Sequence, residues 1–535
     1  ALRAQADLLR SRASLLQAPQ AAQGTGGAGA PLGTWIAGEA ALAERLQVAR
    51  DLVFDAADAA LARRETAILL HVIDLRDVLL ASRLDLELLG TGATATRLLE
   101  RVAAGLRQIA VALDQIGDAL RDDRPPAPDA AGEAAMSRPF EDVAMPEADP
   151  RRRLLPTLAR RLELLRVDVA AMHRLALGQE EVLPLSRSQL QSFVGPETWP
   201  LEALRRQLSR SSPVLRHAVR MGLALATAYF VARVLPWASH PHWLVLSVAV
   251  VLRGNLEQTL TRRNARVLGT MFGCLLVLLF ARSNSPPLLE LVFLGSVGIA
   301  HSFVNVRYWV TATAATVMAL LQSHLADPAV GFAIGERLAD TVLGAALGWG
   351  FSYVLPSWER HSVPQAIARA LAALDEYATR VLAPDAGSAV EQRLARRTAY
   401  DALGALAGAA QRSAVEPRRA RLPIDDMAAL LDHGQRLMAH LSSIRLMLAR
   451  GTAQLREPSA AAALQAASKD LSDVLTRQGL PDASGSAPDA RWVDALPQEP
   501  PSNDLLPWLL RRLQLSLHDA RRVRGAASAA LARLA

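Results

Sequence analysis

The sequence predicts an all-α membrane protein: a six-span helical bundle built as a 3+3 inverted repeat, flanked by two cytoplasmic helical domains. Three observations predict it. Long apolar runs gather between Ser212 and Trp358, where acids are few, while both flanks are rich in Ala, Leu, Arg and Asp. That central block repeats its own motif. Strand-type alternation is essentially absent, and apolar residues at a spacing of three and four run through both flanks, as helices require.

At 535 residues the chain is long enough for two to four domains. Residues 1–212 form the first. Leu42, Leu46, Ala49, Val53 and Ala56 share one helical face, as do Ile68, Val72, Leu75 and Leu79. Glycines within 24–30 break the pattern, and 122–150, with Arg-Pro-Pro-Ala-Pro, reads as a disordered linker. Helices resume over 152–177 and 199–208. The third domain, 358–535, predicts helices near 363–382, 389–414, 423–450, 460–478 and 504–534, with a loop over 481–502.

Between them lies the second domain, residues 213–357. A bilayer-crossing helix needs about 20 mostly apolar residues. Six candidate spans fit, some of them short: 218–235, 243–252, 267–281, 288–304, 309–325 and 338–355. Arginines set the orientation. Arg216 and Arg220 precede or open the first span, Arg253, Arg262, Arg263 and Arg266 lie between the second and third, Arg307 between the fourth and fifth, and Arg360 follows the sixth. The opposite loops hold Arg282 and little else, so the positive-inside rule puts both flanking domains in the cytoplasm.

The repeated motif carries the chemistry. Arg266, Thr270 and Gly273 stand at i, i+4 and i+7, and so do Arg337, Thr341 and Gly344, which puts each trio on one helix face. Trp243 and Trp309 precede the two copies within matching four-residue patterns. A three-span repeat reverses direction on each copy, a signature of secondary transporters and of some channels. Gly269 with Gly273, and Gly344 with Gly348, make two G-x-x-x-G faces for close helix packing. Arg266 and Arg337 sit at span ends, where they either snorkel to the interface or grip an anion. Asp340, one turn past Arg337, is either its local ion-pair partner or a titratable group. His301, in the fourth span, is a second candidate proton carrier.

Other classes are excluded or unsupported. No basic run interleaves with aromatics, so no nucleic-acid surface is expected despite a net charge of +7. The single cysteine, Cys274, leaves no disulfide framework, and His240-Pro-His242 is too loose a pair to predict a metal site. Neither a phosphate-binding glycine loop nor a hydrolase or metalloprotease motif occurs, so no enzyme and no cofactor is expected.

Arg266-x-x-Gly-Thr-x-x-Gly273, the paired Trp243 and Trp309, and Tyr353-Val-Leu-Pro-Ser-Trp358 resemble the fusaric acid resistance family of aromatic acid exporters. The resemblance covers about 150 residues strongly and the flanks only in arrangement. It implies inner-membrane efflux of aromatic carboxylates or similar organic anions. The proton gradient would drive it, with Arg266, Arg337, Trp243, Trp309, Thr270 and Thr341 as substrate contacts and Asp340 and His301 as protonation candidates. A passive anion channel and a non-transporting envelope scaffold that binds a cytoplasmic partner are the rival classes. Family members of this type carry two six-span blocks, so the expected partners are membrane lipid and either a preceding block or a second copy of the chain. The second copy of the motif departs from the first in having Asp340 where Gly269 stands.

The arginine distribution makes a direct prediction. Single cysteines at Arg263 and Gln392, placed in a Cys274→Ser background, are expected to label only from the cytoplasmic side, and one at Ser283 only from outside. Labelling in the reverse pattern would overturn the orientation.

Overall fold

The computed structural model describes residues 1–17, 59–126 with short gaps, 149–179, 212–282 apart from 237–238, 285–326 apart from 305, 331–383, 389–450, 458–476 and 506–534, together with a few residues of 45–49, 140–146 and 208. The predicted glycine break, most of the 122–150 linker, the 199–208 helix and the 481–502 loop lie outside the described residues. Among the described residues the secondary structure is helical throughout, with no strand. In chain order the α-helices are α1 (Leu2–Gln17), α2 (Ala59–Glu87), α3 (Ala93–Arg121), α4 (Leu155–Ala176), α5 (Pro213–Val234), α6 (Pro241–Val251), α7 (Leu256–Ala281), α8 (Pro286–Ser302), α9 (Tyr308–Ala326), α10 (Ile334–Phe351), α11 (Glu359–Leu382), α12 (Ala389–Ser413), α13 (Ile424–Arg450), α14 (Pro458–Thr476) and α15 (Leu506–Leu534).

Local chemistry explains most of the boundaries in the central block. Proline stands at the first turn of α5, α6 and α8, where its missing N–H costs nothing. Ser212 caps α5 by accepting from the Leu215 amide, and Asn255 caps α7 by accepting from the Gln258 amide at 2.8 Å. Arg220, 2% exposed, donates to the carbonyls of Arg253 and Gly254 at 3.1 and 2.9 Å and so anchors the turn between α6 and α7. This buried cation is a structural strut.

The chain divides into two compact units. One comprises residues 1–196, 363–410 and 422–535 and holds a single apolar core to which helices from both flanks contribute, with α2 packed on α13. Helices from 1–196 and from 363–410 and 422–535, separate in the sequence, thus share one core. In this unit Asp519 of α15 meets His433 at 3.0 Å and His440 at 3.2 Å, both from α13. Burial opposes its charge, but these two hydrogen bonds outweigh that and hold its carboxyl well below the usual carboxylate range.

The other unit comprises 197–362 and 411–421 and contains α5 to α10. Residues 411–421 are tied to it by Arg412, which pairs with Glu359 at 2.6 Å, and by Glu416, which accepts from the Glu359 amide at 3.0 Å. Helix α6 packs on α5, α7 and α10; α9 packs on α7, α8 and α10; α7 also packs on α8 and α10, and α10 on α5. Exchanging α5 with α8, α6 with α9 and α7 with α10 converts every one of these contacts into another of them.

Among the described residues, one helix segment, Leu256–Phe280 of α7, is both long and apolar enough to cross a membrane alone. Helices α6 and α8 are shorter apolar helices. With 11 residues α6 rises only about 17 Å, against a hydrocarbon core of about 30 Å. The outer surface of the bundle is apolar as well: Phe230, Leu275, Leu279, Leu291, Leu294 and Val306 are all exposed. Exposed apolar side chains gathered in this way mark a surface for contact with membrane or protein.

The glycine faces decide how closely these helices approach. A Cβ on Gly269 would stand 2.6 Å from Ala312 Cβ and 2.8 Å from the Trp309 carbonyl, and one on Gly273 2.7 Å from the Thr313 carbonyl. On the second face a Cβ on Gly344 would stand 2.6 Å from Ser247 Cβ, and one on Gly348 3.1 Å from Val251. Thus α7 seats its glycines on α9, and α10 seats its own on α6. Replacing helical glycine by alanine ordinarily stabilises by about 1 kcal/mol, while overpacking a tight contact costs about 1–3 kcal/mol. Gly269→Ala and Gly344→Ala are therefore expected to lower the unfolding temperature of the detergent-solubilised protein. Gly295→Ala, with open space around it, is expected to leave that temperature unchanged or raise it. A neutral Gly269→Ala would remove the close-approach role.

Candidate functional site

Helices α7 and α10 carry the two motif copies and cross each other at equivalent residues. The hydroxyl oxygens of Thr270 and Thr341 lie 3.4 Å apart. From α9, the Thr316 hydroxyl sits 3.3 Å from Thr270 and donates to the Ala312 carbonyl at 2.8 Å. All three threonines are buried. The spacing of the motif brings the arginines to the same interior: one turn before each threonine on its own helix, Arg266 is 3% and Arg337 1% exposed. Asp340, beside Thr341, is wholly buried.

These charges are not paired off. Arg266 Nε and Nη2, Arg337 Nε and Nη1, and both carboxylate oxygens of Asp340 have no hydrogen-bond partner among the described residues. The i, i+3 ion pair open to Arg337 and Asp340 in the sequence does not form. Neither do the arginines snorkel; both side chains stay inside the bundle. A charge near the centre of a membrane helix costs about 2.5–3.5 kcal/mol on insertion scales. Three such groups in one interior, with donors and acceptors unspent, mark a candidate site for a ligand that would supply the missing partners. Two guanidinium groups with free N–H donors suit a carboxylate or similar anion.

The two tryptophans part company. Trp243 is buried, and the Arg337 guanidinium lies over its ring, 4.8 Å from the centroid. That distance is within cation–π range. Trp309 is 47% exposed and neighbours Phe272 on the outer face of α7. His301 also lies apart: it is exposed, and its Nδ1 sits 2.9 Å from the Val297 carbonyl one turn back. Among the expected site residues, Arg266, Thr270, Arg337, Asp340, Thr341 and Trp243 come together, and Trp309 and His301 do not.

Sequence reasoning missed a neighbouring group. At the start of α6, His240 Nδ1 meets Glu336 Oε2 at 3.1 Å, and the His240 amide donates to Glu336 Oε1 at 2.6 Å. His240 Nε2 lies 3.1 Å from Ser323 Oγ of α9. The imidazole stacks on Trp243 with centroids 4.2 Å apart and planes 9° from parallel. The signals existed in the pairing of His240 with Trp243 three residues on, and in an acid directly before the motif arginine. Their meeting across 96 residues of chain was not legible.

A helical bundle with an apolar outside and unpaired charges inside is the architecture of a membrane protein related to transport. Residues 226–351 match the family model for fusaric acid resistance protein-like domains, and this block is fusaric acid resistance protein-like. The relatives each match less than half of the chain. The inner membrane protein YccS of Escherichia coli is 30% identical over 221 residues, 40% of this chain and 30% of its own length. The uncharacterized protein ORF2 of Neisseria gonorrhoeae is 29% identical over 230 residues, 42% of this chain and 54% of its own. A Synechocystis protein, slr1298, is 32% identical over 173 residues, 31% of this chain and 22% of its own. The chain thus spans about half or less of the length of these relatives.

Proposed function

We propose that the block exports aromatic carboxylates or similar organic anions across the inner membrane, driven by protons, with residues 213–357 as the transporting unit. The observation that carries this reading is the set of unpaired donors on Arg266 and Arg337 around the Thr270–Thr341 crossing. An anion between them would satisfy those donors and offset the cost of keeping two guanidinium groups away from water. Asp340, its oxygens equally unpartnered, is the group of this cluster suited to take up and release a proton. The other protonation candidate, His301, has its ring turned out of the bundle and has less claim.

The pathway runs between α6, α7, α9 and α10. In this reading all six helices cross the membrane and the block is a 3+3 inverted repeat. Support comes from the contact pattern, which is unchanged when α5, α6 and α7 exchange with α8, α9 and α10, and from the glycine faces, which follow the same exchange. Residues 1–212 and 358–535 lie in the cytoplasm. Lipid and a second membrane block, most simply a second copy of the chain, cover the exposed apolar faces.

The test separates grip from packing. A lysine reaches as far as an arginine but lacks the planar fork that binds a carboxylate through two hydrogen bonds. Losing one charged contact costs about 1.5–3 kcal/mol, roughly a tenfold to hundredfold loss of affinity. Arg266→Lys and Arg337→Lys are expected to insert and fold normally in proteoliposomes and to raise the half-saturating benzoate concentration by that factor. Wild-type concentration dependence in both would remove the arginines from the site. Asp340→Asn is expected to abolish acceleration by an imposed pH gradient while benzoate still binds. Flux in the wild type that ignores that gradient would favour a passive channel.

A further inference from the structure

His240, Glu336 and Ser323 form a second polar group in the same bundle, assembled from α6, α10 and α9. Its geometry suits an imidazole that changes charge. Glu336 faces Nδ1 with a carboxylate oxygen and Ser323 faces Nε2 with a hydroxyl. A carboxylate only accepts, so Nδ1–H donates to it. The hydroxyl both donates and accepts, so by rotating it satisfies Nε2 whether that nitrogen carries a proton or not. Both charge states of the ring are therefore fully hydrogen-bonded, and no side chain has to move between them.

The ring is also wired to the candidate anion site. His240 and the Arg337 guanidinium both lie within cation–π distance of the same indole, at 4.2 and 4.8 Å from Trp243. Glu336, which holds the imidazole, directly precedes Arg337 on α10. We propose that His240 is a proton-binding positioning residue: its protonation adds positive charge against the same indole as Arg337 and tightens the hold of the site on an anion. This rests on the reading of Arg337 as an anion contact. The charged and titratable groups around the ring are Glu336, Arg337 and Asp340 from α10 and His242 from its own helix, whose ring centroid lies 5.9 Å away; Ser323 from α9 is neutral.

The sign follows from the charges. Below the titration the imidazolium adds one positive charge near Arg337 and anion affinity is higher; above it the ring is neutral and affinity falls. Imidazole titrates between about pH 5 and 8, and a unit charge about 10 Å from a bound anion in a partly screened interior changes affinity about tenfold.

Two measurements on the full chain in liposomes test it, one without transport. Stacked imidazolium quenches indole emission, so wild-type tryptophan fluorescence is expected to titrate between pH 5 and 8. The corresponding step is absent in His240→Gln. In benzoate flux, half-saturation is expected to rise more steeply from pH 6 to pH 8 in the wild type than in His240→Gln, by about tenfold; equal slopes count against the proposal. Arg337→Lys raises half-saturation at both pH values and keeps the fluorescence step. An identical fluorescence titration in wild type and His240→Gln overturns the proposal even if flux is robust. A fluorescence step that depends on His240 without any benzoate flux leaves the proton site standing and defeats the transport reading instead. If His240→Gln does not fold, His240→Asn, which suits the N-cap position His240 occupies, is read in its place, and a wild-type fluorescence titration there counts against the proposal.

Discussion

Charge held inside an apolar bundle is the constraint to which the rest of this block answers. Arg266, Arg337 and Asp340 stand in an interior with little water to screen them, where an unpaired ion costs several kilocalories per mole. The fold tolerates them through rigidity and proximity. The glycine faces bring α7 against α9 and α10 against α6 at backbone contact, and the threonine crossing fixes α7 against α10. Small residues at the contacts let the helices meet closely enough to hold long charged side chains in place between them. The unspent hydrogen-bonding capacity of those side chains sets this interior apart from an ordinary packed core.

Much of this was legible in the sequence because it is local. Spacing of i, i+4 and i+7 determines that arginine, threonine and glycine share a helix face, and the structure turns that face inward in both copies. Helix starts lie where serine, proline and asparagine mark them, at Ser212, Pro241 and Asn255, and so precede the apolar runs: α5 begins at Pro213 against an expected 218, and α7 at Leu256 against 267. The G-x-x-x-G faces packed as such faces do. What was not legible depends on tertiary partners. Nothing local distinguishes Trp243, buried under Arg337, from Trp309, which faces outward; their flanking residues follow the same pattern. His301 sits in an apolar run, yet its ring turns to its own helix backbone. His240 and Glu336 meet only because α6 packs on α10. The shared core of the two flanks is likewise a long-range property, invisible to periodicity.

The two motif copies are similar in backbone placement and unequal in chemistry. Gly269 gives α7 its close approach to α9, whereas the matching position in α10 carries Asp340, and α10 approaches α6 one turn later, at Gly344. One half of the interior is therefore a pure arginine–threonine surface. The other adds an acid and, through Trp243, a histidine held by a glutamate. An asymmetric interior of this kind concentrates the titratable groups in one half.

The central claim is that the buried arginines hold an anion, and the most direct measurement is an electron cryo-microscopy map of the protein in nanodiscs with saturating 4-iodobenzoate. The account predicts density for the iodinated ring with its carboxylate within hydrogen-bonding distance, about 2.7–3.0 Å, of Arg266 and Arg337 beside Thr270 and Thr341. A map in which both guanidinium groups are paired with protein carboxylates such as Asp340, and the iodine lies outside the bundle, would contradict it.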